Sequence, residues 1–224
     1  MIVIHPETTK NPITFIGYCA GVCWKADVSD NKKNYQRGIE CIKAGHGRTE
    51  DFPNVVMIID EVSAKVIREW YTHIGCLPAR LQESTRYIDY DGFKYIIPPK
   101  IFNNSQAYTI YIQTMNAINE GYKALLDLNI AKEDASMVLP LGMTTMIIDK
   151  RDLRSLIDMS RQRMCNRAYW EYRELFNELC EKLSDYSDEW ATLVKMCFHP
   201  KCEELGYCPE KKSCGRYKNE RIEL

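Results

Sequence analysis

Apolar residues recur at helical spacing over 31–45, where Tyr35, Ile39 and Ile42 form one stripe between a Ser29/Asp30 start and a Gly45 stop. A helix is expected there. The run Asn54-Val-Val-Met-Ile-Ile-Asp60 is short, β-branched and bounded by Pro53, the pattern of a buried strand. Ser63 stands as N-cap of a second helix, with Val66, Ile67, Trp70, Tyr71 and Ile74 on one face and Gly75 just past its end. Alternation of Tyr87, Asp89 and Asp91 with Ile88 and Tyr90, then Phe93, Tyr95 and Ile97, predicts a hairpin over 86–98 about Asp91-Gly92. A long helix over 105–128 carries Tyr108, Tyr111, Met115, Ile118, Tyr122 and Leu125 on one face. A short helix from Lys132, stopped by Pro140, leads to a second β-branched run over 143–148. Helices over 152–166, capped by Asp152, then 168–183 and 187–197 complete the chain. This order predicts an α+β fold, with helices packed on a small, mainly antiparallel sheet in one domain, 1–196, ahead of a Cys-rich tail, 197–224.

Composition narrows the function classes. The chain has 224 residues, 45% hydrophobic and 27% charged, which is enough for a real core and excludes disorder as its main state. Its 30 Lys+Arg against 31 Asp+Glu leave a net charge of −1. With no global field to draw it onto nucleic acid or an anionic membrane, any bound anion must be held locally. No apolar run approaches the roughly 20 residues of a spanning helix, and Pro6 and Glu7 interrupt the place of a signal peptide. The expectation is a cytoplasmic protein with thiol cysteines.

Local anion sites have three candidates. The loop after the second helix delivers Arg80, Gln82, Glu83, Ser84, Thr85 and Arg86 together, the donor set that holds phosphate and reads a pyrimidine edge, or else a polar surface loop. Arg151, Arg154, Arg161, Arg163 and Arg167 fall in one stretch expected to be helical, as a working row or as a solvated face. Gly45-His-Gly-Arg48 sets His46 and Arg48 between glycines, as a phosphate nest or a helix end.

Together these segments resemble the flavin-dependent thymidylate synthases. Arg68-Glu-Trp-Tyr-Thr-His73 followed by Gln82-Glu-Ser-Thr-Arg-Tyr87 is similar to that family's Arg-His-Arg, spacer, Ser-x-Arg-Tyr signature. Leu139-Pro-Leu-Gly-Met-Thr-Thr145, Leu153-Arg-Ser-Leu156 and Trp170-Glu-Tyr-Arg173 are similar to its second block in order and spacing. The resemblance covers about 31–183. It implies a homotetrameric methyltransferase with FAD in active sites shared between subunits. The family converts dUMP to dTMP with carbon from methylenetetrahydrofolate and electrons from NADPH, without a cysteine nucleophile. It further implies that Gln82, Glu83, Ser84, Thr85 and Arg86 hold the nucleotide. Arg163 and Ser84 become the catalytic candidates, Arg163 by stabilising negative charge on the uracil ring. His46, Arg48, His73, Arg80, Arg154, Asp158 and Arg167 become the FAD-binding candidates.

The chain departs from the family pattern at several points. Thr72 and Ile74 stand where the motif has arginines, Glu69 where a glutamine is common, and Ser136 where an arginine commonly precedes Leu-Pro. Asp158 replaces an amide and Arg167 a histidine. Arg48, Arg80 and Arg161 are placed to compensate. Two further readings follow from these losses: a relative that adds a one-carbon unit to another pyrimidine nucleotide, or a non-catalytic nucleotide- or metal-binding protein on the same scaffold. On a helix of about 100° per residue, Arg154 and Arg163 lie on opposite sides, with Asp158 and Arg161 on the Arg154 side.

Four of the ten cysteines, Cys197, Cys202, Cys208 and Cys214, crowd into the tail beside His199. Only the first pair has zinc-like spacing. Free thiols, a zinc site on Cys197, His199, Cys202, Cys208 and Cys214, and oxidative disulfides all remain open readings.

Overall fold

Local signals set most of the elements in the computed structural model, which describes residues 1–73 and 79–219. A strand β1 (Ile2–Ile4) and a helix α1 (Pro12–Cys23) come first. The Asp30 carboxylate accepts from the Lys32 and Lys33 amides to open α2 (Asn31–Lys43). A 3₁₀ turn (Gly47–Asp51) leads into β2 (Asn54–Ser63). The Ser63 hydroxyl then caps α3 (Ala64–Trp70) by accepting from the Val66 amide. Next come β3 (Ala79–Gln82), α4 (Pro99–Phe102), α5 (Ser105–Asp127) and α6 (Lys132–Ala135). The chain continues through β4 (Thr144–Asp152), α7 (Leu153–Arg163), α8 (Trp170–Tyr186), α9 (Asp188–Cys197) and α10 (Lys201–Leu205).

The four strands are hydrogen-bonded in the order β1-β2-β4-β3. β2 and β4 are antiparallel: the Leu153 amide donates to Pro53 at one end, and the Ala64 amide donates to Met143 at the other. This is the expected α+β fold. Two compact units are found, residues 1–58, 72–80 and 148–224 in the first, and 59–71 and 81–147 in the second.

In the first unit, α1 and α2 touch backbone to backbone. A Cβ on Gly17 would stand 1.7 Å from the Asn34 carbonyl oxygen, and one on Gly38 would stand 2.0 Å from that of Ile13. Only hydrogen fits at either position. Trp190 of α9 is fully buried and donates from Nε1 to the Thr9 carbonyl at 2.8 Å, tying α9 to the N-terminal segment. In the second unit, Tyr90, Tyr122, Ala135 and Met143 form the core.

Three expectations need correction. Residues 86–98 form no hairpin; they run as turns and extended chain with a single antiparallel bridge, Tyr95 to Met143. The reason is tertiary: the Tyr90 amide donates to the Tyr122 hydroxyl and the Gly92 amide to Asn119 Oδ1 at 2.7 Å, so α5 satisfies groups a partner strand would have taken. The second helix stops at Trp70, and the Ile74 and Gly75 expected at its end lie outside the described residues. Arg151 belongs to β4, not to a helix.

Candidate functional site

β4 alternates inward and outward with period two, which places Thr145, Ile147, Asp149 and Arg151 in the interior. Burying a guanidinium there requires a partner. The Arg151 Nε meets Asp149 Oδ2 at 2.6 Å, with both side chains fully enclosed. Its Nη1 donates to the His73 carbonyl at 2.6 Å, so a buried charge pair fixes the backbone of the residue expected in the histidine position of the motif.

The imidazole of His73 accepts at Nε2 from Arg163 Nε at 2.8 Å. Arg163 is the last residue of α7, and its guanidinium lies 4.6 Å from the Tyr172 ring centroid, a cation–π arrangement. His73 meets the same ring edge-on at 6.1 Å. Thr72, in place of a motif arginine, offers its hydroxyl to Arg163 Nη2 at 3.5 Å. Burial, followed by the positive charges of Arg163 and Arg151, lowers the His73 pKa to about 4. The imidazole is therefore a neutral acceptor at physiological pH. It orients the Arg163 fork without competing for charge.

That shift has a stability consequence. Unfolded His73 takes up a proton below its ordinary pKa of 6.5, while folded His73 stays neutral until about 4. Its contribution to stability is thus whole above pH 6.5 and is lost as pH falls from 6.5 towards 4. Chemical denaturation of wild type and His73→Gln between pH 7 and 4.5 is expected to show a shallower decline for the variant. Parallel curves would remove His73 as the cause.

On the opposite side of α7, Arg154 Nε donates to the Gly47 carbonyl at 3.1 Å and pairs with Asp51 Oδ1 at 3.0 Å. The guanidinium packs closely over Gly47: a Cβ there would meet Arg154 Nη2 at 2.9 Å, so the arginine end would have to shift. The expected separation of Arg154 from Arg163 therefore holds. Glu50 feels the positive charges of Arg154 and Arg161 and the negative charge of Asp158; burial outweighs both arginines and raises its carboxyl pKa. His46 and Arg48 flank Gly47 and are exposed. Arg80 is half-buried on β3.

A cavity of about 900 Å³ opens at the C-terminal end of α7, within the first unit. Arg163, Arg167 and Asp158 line it from one side. Cys202, Glu210 and Tyr217 line it from the tail. Arg161 is clamped by Glu204, Nε to Oε2 at 3.0 Å and Nη2 to Oε1 at 3.3 Å, and also meets Asp158 at 2.9 Å. Arg167 donates to the Lys212 carbonyl at 2.7 Å and stands 3.7 Å from Glu210. The sequence alone does not reveal these tail carboxylate contacts, because no spacing rule links α7 to residues more than forty positions downstream.

The nucleotide loop candidates lie in the second unit. Gln82 donates to Thr145 Oγ1 at 3.3 Å, and the Glu83 carboxylate accepts from the Met146 amide at 3.1 Å, so both side chains also brace β4. Ser84 Oγ accepts from the Arg86 amide at 3.3 Å, shaping the turn, while Thr85 is exposed. Arg86 pairs with Glu133 at 2.8 Å.

Of the readings open for the tail, zinc gains no support: among the described residues, Cys197, His199, Cys202, Cys208 and Cys214 included, no three His, Cys, Asp or Glu side chains gather as a metal ion requires. Burial pushes the Cys180 thiol up to about 12 and that of Cys197 up to about 11, holding both protonated. No described helix is long and apolar enough to cross a membrane.

The family model described as thymidylate synthase complementing protein matches residues 6–187. A flavin-dependent thymidylate synthase of Nitratidesulfovibrio vulgaris is 31% identical over 191 residues, covering 79% of this chain and 74% of the relative. One from Clostridium tetani is 29% identical over 235 aligned positions, covering 94% and 91%. The Helicobacter pylori flavin-dependent thymidylate synthase, solved in complex with FAD and dUMP, superposes with a TM-score of 0.66 at 15% identity. That match spans 85% of this chain and 98% of the other and shows a common fold.

Proposed function

Because the chain belongs to the thymidylate synthase complementing protein family, we propose that it catalyses the FAD-dependent reductive methylation of dUMP to dTMP. Methylenetetrahydrofolate is the carbon donor and NADPH the reductant. The observation that carries the site assignment is the neutral His73 holding Arg163 at the edge of the 900 Å³ cavity. The donor set suits a phosphate-bearing flavin: Arg163 and Arg167 line one wall, and Arg154 is packed over a glycine that leaves it room.

When bound, FAD supplies the electron transfer that reduces the incoming one-carbon unit. The chain's own residues bind and orient. Arg163, aimed by His73 and the Tyr172 face, stabilises negative charge on the pyrimidine, while Ser84, with Gln82, Glu83, Thr85 and Arg86, holds the nucleotide. His46, Arg48, Arg80, Arg154, Asp158 and Arg167 serve the flavin beside His73.

We read 1–196 as the enzyme domain and 197–224 as an extension to it. The protein is cytoplasmic and homotetrameric, with active sites shared between subunits. Freshly purified protein should show a flavin spectrum that changes on adding dUMP. It should release tritium from 5-labelled dUMP only with NADPH and methylenetetrahydrofolate both present. Flavin and dUMP binding without tritium release would overturn the assignment.

A further inference from the structure

The tail beyond α9 is not an idle appendage: it builds one wall of the cavity and places carboxylates on the arginines of the other. The two contacts differ in kind. Glu204 grips Arg161 with two hydrogen bonds near 3 Å, a fork geometry that resists displacement. Glu210 reaches Arg167 only at 3.7 Å, between side chains about half exposed, which is the geometry of a weak, salt-screened pair. A third tail residue, Arg216, pairs with Glu203 at 2.9 Å and donates to Asn166 Oδ1 at 3.2 Å, closing the tail against the loop that follows α7. The tail is thus anchored at Arg161 and Asn166, while at Arg167 the weak Glu210 contact stands beside a 2.7 Å hydrogen bond to the Lys212 carbonyl.

We propose that the C-terminal extension is the second wall of a phosphate-binding site at this cavity, and that Glu210 occupies Arg167 until a phosphate-bearing ligand displaces it. The proposal rests on the flavin-dependent reading above. A phosphate presents more acceptor oxygens and more charge than one carboxylate at 3.7 Å, so it wins the guanidinium from Glu210, whereas the Glu204 clamp keeps the strap attached. Both FAD and dUMP carry that chemistry, and separate titrations distinguish them.

In wild type, Glu210→Gln, Arg167→Gln and the double variant, FAD is titrated by flavin fluorescence and dUMP by calorimetry, at low and high salt. Glu210→Gln is expected to bind one of the two about three- to fivefold more tightly at low salt, the scale of an exposed ion pair, with the gain shrinking at high salt. In the Arg167→Gln background the same change should have no effect. Trypsin should also cut at Lys211 and Lys212 faster in ligand-free Glu210→Gln than in wild type. Equal or weaker affinity for both ligands in Glu210→Gln overturns the latch and leaves the enzyme assignment standing. Absence of binding in every protein overturns both.

Discussion

Replacing Arg163 by alanine is expected to lower tritium release from labelled dUMP by about two to three orders of magnitude, the usual cost of removing one preorganised donor at developing charge. Three contacts converge on this side chain: the neutral Nε2 of His73 at 2.8 Å, the Tyr172 face at 4.6 Å and the Thr72 hydroxyl at 3.5 Å. Each fixes the orientation of the fork. The loss should fall on kcat, because the charge it meets develops during the reaction; dUMP affinity should drop far less. Arg163→Lys separates charge from geometry. A lysine retains the cation but loses the planar fork, so binding should recover more than turnover. An Arg163→Ala enzyme within tenfold of wild type would remove Arg163 from the chemistry.

The second large effect concerns stability. Asp149→Ala takes the carboxylate away from the Arg151 guanidinium in a fully enclosed site, and such half-removed pairs cost about 3–5 kcal/mol. For a chain of this size each kcal/mol is worth about 2–4 °C, so a fall of roughly 10 °C in Tm is expected by calorimetry. Activity measured well below that transition should fall too, because Arg151 also holds the His73 carbonyl. The double variant Asp149→Leu, Arg151→Met removes both charges and should regain much of the stability while leaving His73 unanchored. A single variant as stable as wild type would show that the pair is not sealed from water.

What could be read from the residues alone is uneven, and the unevenness has causes. Caps and apolar stripes are local: Asp30, Ser63, Asn104, Asp152 and Ser187 each accept from a backbone amide at the start of the following helix. The family motifs were equally legible, because Ser84, Arg86, Arg154 and Arg163 keep fixed spacings. The hairpin over 86–98 failed because its polar backbone groups found Tyr122 and Asn119 on α5, which alternation cannot reveal. α1 went unread because it is apolar nearly throughout and lacks a stripe; its seat is cut by Gly17 and Gly38, whose meaning appears only when α2 lies against it. The Asp149–Arg151 pair did have a signal: period two carried inward from Ile147 reaches both positions.

The amino-acid sequence by itself determined most of the helix starts after α1, the two long strands, the α+β class and the flavin-linked motifs, since each depends on neighbours a few positions away. The tertiary structure alone decided that His73 stays neutral against Arg163, that Arg151 is buried beside Asp149, and that Glu204 and Glu210 fold back onto Arg161 and Arg167. Those outcomes depend on desolvation and on charges far apart in the chain, and neither quantity exists until the chain has packed.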